Sequence, residues 1–180
     1  MYRIRLRSLL WSAGLLKELR HSPDVEAVAV AANWGLDAVY DLFEAYKIVS
    51  ESSDRLVEQD VLLDSTAGQV VGGLMFMRGE KTHQAKRVDA PSPFKELTYD
   101  FAKLTDWTWS KLEKLPTDRL AQRAEWYTRH VQNRALWVPL ESAEYWFLKN
   151  WPVEVARPSI IETADWVDGV RPVYAPDLND

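Results

Sequence analysis

Apolar residues recur at spacings of three and four along most of the first 150 positions. Ile4, Leu6, Leu9, Leu10, Ala13, Leu16 and Leu19 form a stripe that predicts a helix over about residues 3 to 20. Ser22-Pro23-Asp24 then reads as a helix start. It offers a capping residue, a proline where no N–H is needed and an acid near the positive end of the dipole. The helix that follows is expected over 24 to 52, with Val39, Leu42, Phe43, Tyr46 and Val49 on its apolar face. Asn33-Trp34-Gly35 is a candidate break or kink within it. A third helical rhythm runs from about 55 to 82 through Leu56, Val61, Leu62, Val70, Val71, Leu74 and Met75. Gly68, Gly72 and Gly73 sit inside it, each costing a helix about 1 kcal/mol relative to alanine. Close approach of another helix is the expected reason, and a break between Leu63 and Gly73 is the alternative.

The rhythm then stops. Pro91 and Pro93 predict a loop over 84 to 96. Helices are expected over 94 to 114, ending before Leu115-Pro116-Thr117-Asp118, and over 118 to 135. Pro139 suits the first turn of a last helix, 139 to 150, with Ala143, Trp146 and Phe147 inward. From Trp151 onward four prolines and no clear period predict an extended arm. No internal repeat and no Asn-Gly hairpin signal is present. The pattern predicts an all-α fold, a helical bundle over 1–150 with an extended Trp/Pro-rich C-terminal arm over 151–180.

Composition narrows the chemistry. The chain has 180 residues, 47% apolar and 27% charged, with a net charge of −5, so nucleic-acid contact requires a local basic patch. Absence of cysteine excludes disulfides, cysteine-bound zinc and thiol catalysis. Arg3, Arg5 and Arg7 precede Leu9-Leu10-Trp11, but Lys17, Glu18 and Arg20 interrupt the apolar stretch before it resembles a secretory signal. No window approaches a membrane span. The expectation is a cytoplasmic protein with no membrane contact. Seven of the nine tryptophans lie in 107 to 166, which predicts either an aromatic core or an aromatic interface in the C-terminal half.

The stretch LMFMRGEKTHQ carries the sharpest candidate chemistry. An apolar run ends at Arg78, and His83 follows five residues later. Cleaving RNA without a metal requires a group that takes the 2′-OH proton, an acid for the leaving oxygen and a cation for the charge building on phosphorus. Histidine suits either proton transfer, and the always-charged, fork-shaped guanidinium suits phosphoryl oxygens. Lys81, Lys86 and Arg87 make this the densest positive patch in the chain. In one straight helix, positions five apart diverge by roughly 140°. Arg78 and His83 therefore converge only if the helix ends near Gly79 to Thr82, or if each meets a partner across a dimer. A solvated helix end and phosphate binding without cleavage are the alternatives for these residues.

An apolar helix followed by Arg78-Gly79-Glu80-Lys81-Thr82-His83 resembles the signature of HEPN domains, and the resemblance covers about residues 24 to 90. It implies an all-α domain, metal-independent ribonuclease activity of toxin or antiphage-defence type, and a homodimer in which two Arg/His pairs share a cleft. It also implies Arg78 and His83 as catalytic residues, with no metal and no cofactor. The position after the arginine, usually polar in that family, is Gly79 here.

A second basic stretch holds Arg123, Arg129, His130 and Arg134 between Trp126 and Trp137. Aromatics beside arginines suit single-stranded RNA, and this stretch is a candidate far wall for a cleft bounded by the loop after His83. An amphipathic helix with solvated charges is the alternative. Asp37, Asp41 and Glu44 share one helical face and could hold Mg²⁺ for a pyrophosphohydrolase, or form a solvated acidic face. A non-catalytic interaction module, whose Trp-rich C-terminal half binds a protein partner, is the reading from a different functional class.

Overall fold

The protein is described by a computed structural model that covers residues 2–49, 63–79, 88–89, 106–112, 115–118 and 120–150. Five α-helices carry most of it: α1 Tyr2–Glu18, α2 Val25–Val49, α3 Thr66–Gly79, α4 Ala121–His130 and α5 Trp137–Asn150. A 3-10 turn, Leu19–His21, follows α1. The only sheet among the described residues is a two-residue antiparallel ladder, β1 Val88–Asp89 with β2 Thr108–Trp109. The class is all-α. The predicted arm, 151–180, lies outside the described residues.

Each helix follows from local chemistry. In α1, Leu6, Leu9, Ala13 and Leu16 are buried at spacings of three and four. The cap of α2 is Asp24, whose Oδ1 accepts from Ala27 N at 2.9 Å, while Ser22 Oγ accepts from Asp24 N at 3.1 Å. Asn33-Trp34-Gly35 does not break α2, which runs unbroken for 25 residues. Gly35 serves packing instead. A Cβ there would meet Leu140 Cδ1 and Ser12 Oγ at 2.6 Å. The buried Ser12 hydroxyl donates to Ala31 O at 2.7 Å, and Arg5 pairs with Asp41 at 3.0 Å, so α1 and α2 run antiparallel in close contact.

Helix α3 is the central element. Ser65 Oγ accepts from Gly68 N, and every residue from Val70 to Met77 is buried. A helix apolar on all sides needs neighbours on all sides, and α3 packs against α2, α4 and α5. The break expected between Leu63 and Gly73 falls at its start: 63–65 form a turn and the helix begins at Thr66. Residues 55–62 lie outside the described residues. The glycines mark close approach. Atoms added at Gly72 would fall 2.5 Å from the Trp126 ring, and at Gly73 2.9 Å from the Tyr127 backbone.

One predicted helix is corrected. Residues 106–112, expected inside a helix over 94 to 114, are extended. Trp107 and Trp109 point inward while Thr108 is half-buried, the period of a strand. The segment is stitched to the turn after α4 by Trp109 N to Arg134 O, Asn133 N to Trp109 O and Leu136 N to Trp107 O, at 3.0 to 3.1 Å. Asn133 adopts φ 60 to make that turn.

Four of the C-terminal tryptophans are core. Trp107, Trp109, Trp126 and Trp146 are buried. Trp107 Nε1 donates to Ser22 O and Trp109 Nε1 to Leu136 O, which satisfies the polar end of each indole. Trp146 sits edge-on to Tyr46 and Phe147, with ring centroids 4.9 and 5.1 Å away. Among the described residues the exposed indoles are in the other half: Trp11 on α1 and Trp34 on α2.

Candidate functional site

The buried run of α3 ends in a charge. Arg78 occupies the last turn, where the negative end of the helix dipole favours a cation. Its side chain is 37% exposed, and two residues of α2 hold it. Asp37 Oδ1 accepts from Arg78 Nε at 3.4 Å, and the Tyr40 ring lies 4.0 Å beneath the guanidinium carbon. Asp37 and Tyr40 are three apart on one helix, so α2 supplies an acid and an aromatic face together. The bond to Asp37 is made through Nε, which sets the plane of the guanidinium over the Tyr40 ring.

The described part of α3 reaches Gly79. His83, Lys81, Lys86 and Arg87 lie outside the described residues.

The acidic row on α2 is neutralised by neighbouring cations. Asp37 pairs with Arg78, Asp41 with Arg5, and Glu44 with Lys47 at 2.9 Å. Among the described residues, no group of three or more His, Asp or Glu side chains could hold a metal ion.

The second basic stretch spreads around α4. Arg123 is buried, 5% exposed. Arg129 pairs with Glu125 one turn back, and Arg134 is exposed in the turn after the helix. His130 Nε2 lies 3.0 Å from Gln69 Oε1. The Gln69 amide nitrogen donates to Asp64 O at 3.3 Å, which turns its oxygen toward the imidazole. Nε2 of His130 is therefore the donor, and Nδ1 carries the lone pair. Burial lowers the pKa of His130, and Arg129 and Arg134 lower it further, so the ring is neutral at pH 7.

The structure does not bring Arg78 and His130 together. Gln69 and Arg78 are nine residues apart on α3, about 13 Å along the axis and half a turn around it. Sequence reasoning found Arg78 but missed its holders. Asp37 stood out as an acid in a row, and nothing local linked it to a residue 41 positions away or Tyr40 to the same residue.

Elsewhere, a shallow cavity of about 410 Å³ opens between the start of α3 and α5. Val70, Val138 and Tyr145 give it an apolar wall, with Glu141 the charged residue among its described lining. On the neighbouring face of α5, burial first and then the Glu141 charge, opposed by Lys17, raise the Glu144 carboxyl to about 7. A carboxyl raised in the folded state holds its proton more tightly there than in the unfolded chain. Its contribution to stability is complete below the unfolded value near 4.5 and is lost as pH rises through about 7. Glu144→Gln should therefore leave stability unchanged near pH 4 and raise it by about 1–3 kcal/mol at pH 8, read by urea unfolding at both pH values.

Comparisons with protein-family models, with curated proteins and with solved structures match none of them. No helix among the described residues is long and apolar enough to cross a membrane.

Proposed function

We propose that the chain is a HEPN-like, metal-independent endoribonuclease of toxin or antiphage-defence type, acting through Arg78 and His83. The observation that carries this reading is the presentation of Arg78: a half-buried guanidinium, oriented by Asp37 and Tyr40 where the buried run of α3 gives way to charge. Preorientation of this kind favours a phosphoryl oxygen that gains charge in the transition state. The 2′-oxygen attacks phosphorus, the P–O5′ bond breaks, and a 2′,3′-cyclic phosphate and a 5′-OH result. His83 takes the 2′-OH proton or delivers one to the departing 5′-oxygen. Lys81, Lys86 and Arg87 draw in the RNA backbone, and Arg129 and Arg134 add positive charge on the far side of α3. The protein works without a cofactor, in the cytoplasm, as a homodimer, with residues 151–180 as an extended arm.

A second reading is a non-catalytic interaction module. Its support lies in exposed Trp11 and Trp34 rather than in the C-terminal half, whose described indoles form core. The two readings part in one experiment. RNA incubated with the purified protein in EDTA should be cleaved, and His83→Ala should abolish cleavage with no fall in melting temperature. RNA left intact by both proteins supports the interaction module and removes the nuclease.

A further inference from the structure

The end of α4 sets a hydrogen-bond acceptor beside a cation. The His130 ring is fixed from one side, where Nε2 donates to Gln69 Oε1 at 3.0 Å and Gln69 is itself anchored to Asp64 O. Nδ1 takes no hydrogen bond among the described residues, and it is not buried, so it offers a lone pair to solvent. Four residues on, the Arg134 side chain is exposed and joins no ion pair among the described residues. Its backbone is tied on both sides: N donates to Val131 O at 3.0 Å, and O accepts from Trp109 N at 3.1 Å. Asn133, at φ 60, makes the turn that sets it there, a conformation asparagine adopts more readily than most residues. Arg129, the other cation near the ring, is occupied by Glu125.

We propose that Nδ1 of His130 accepts a hydrogen bond from a ribose 2′-OH while the Arg134 guanidinium holds the adjoining phosphate, so that the end of α4 is a subsite preferring RNA to DNA. This rests on the reading of RNA as the ligand. An ionised phosphodiester or carboxylate alone satisfies the guanidinium but offers Nδ1 no proton. A ribonucleotide carries a hydroxyl and a phosphate on neighbouring carbons, and the hydroxyl is what DNA lacks. The subsite stands apart from Arg78, so it sets the preference for the chain and takes no part in the cut.

The acceptor has a pH range. From its own helix and turn the ring faces Arg129 and Arg134, and from α3 it faces the neutral Gln69 amide, with Asp64 the acid of the preceding turn. Burial first, then the charges of Arg129 and Arg134, hold its pKa below the usual 6.5. The lone pair therefore persists at neutral pH and is lost only on acidification below 6.5, when Nδ1 becomes a donor. A plain basic patch behaves in the opposite sense: an added positive charge strengthens RNA and DNA alike.

Fluorescence anisotropy of end-labelled single strands tests it, with the full-length His83→Ala protein so that RNA stays whole. At pH 7.5 RNA should bind about fivefold tighter than the same sequence as DNA or with 2′-fluoro sugars, which keep an electronegative substituent but lack the hydroxyl proton. The preference should shrink toward one as pH falls below 6.5, in step with the NMR titration of the His130 ring protons. His130→Phe should abolish the preference at pH 7.5, and Arg134→Ala should weaken RNA and DNA by a similar factor, about three- to tenfold. Equal binding of RNA and the 2′-fluoro strand, a preference that grows on acidification or survives His130→Phe, or no RNA binding at all overturns the proposal. The pH series needs no substitution at the subsite, so it stands even if His130→Phe unfolds the chain. The nuclease reading fails separately, when wild-type protein leaves RNA intact, and that result does not alter this comparison.

Discussion

Gly73→Val should destabilise the protein by about 3–5 kcal/mol, a large part of the roughly 5–15 kcal/mol that holds a domain of this kind together. The added Cβ would lie 2.9 Å from both Cα and N of Tyr127 and 3.2 Å from Val131 Cγ2. Two of those three atoms are backbone, which cannot turn aside as a side chain can. Relief requires α3 and α4 to separate, and that uncovers Phe76 and Tyr127, whose rings are 6.2 Å apart in the interface. Gly72→Ala should cost less, about 1–2 kcal/mol, because the obstacle at 2.5 Å is the Trp126 ring, which can tilt. Urea unfolding followed by circular dichroism reads both. A Gly73→Val protein within about 1 kcal/mol of wild type would mean that α3 and α4 do not pack at this distance.

The other large effect concerns activity. Arg78→Lys should lower RNA cleavage by about 10²–10³-fold, the usual cost of removing one well-placed transition-state donor. Lysine keeps the charge but loses the fork. A lysine ammonium cannot both lie flat on Tyr40 and bond Asp37 from the same plane, as the guanidinium does. Stability should fall by no more than about 1 kcal/mol, since a partly exposed ion pair and one cation–π contact are worth little to the fold. Single-turnover cleavage and a melting curve on the same preparation separate the two. A loss of activity matched by an equal loss of folded protein would assign Arg78 a structural role only.

Most of the helical frame was legible in the sequence because burial imposes its own period. The three-and-four spacing of Leu6, Leu9, Ala13 and Leu16 is the inward face of α1, and Ala143, Trp146 and Phe147 point inward on α5 as their spacing requires. The glycines of α3 signalled a close neighbour but not which one. Their partners, Trp126 and Tyr127, lie more than fifty residues later. The segment around Trp107 was misread because the alternation Trp107-Thr108-Trp109 is only three residues long, too short to stand out beside helical neighbours. Its extended form is imposed by hydrogen bonds to residues 133–136, which local sequence does not announce. At the site, the charge of Arg78 was legible and its orientation was not, because orientation comes from Asp37 and Tyr40 on another helix.

In the proposed reaction a guanidinium at position 78 stabilises phosphoryl charge while the RNA's own 2′-OH attacks. The most direct test is the chemistry of the cut made in EDTA on an RNA oligonucleotide and on the same oligonucleotide carrying a 2′-deoxy sugar at the cleaved position. The account predicts a 2′,3′-cyclic phosphate end from the first and an intact second. Cleavage of the 2′-deoxy substrate, or a first substrate left whole, would contradict it.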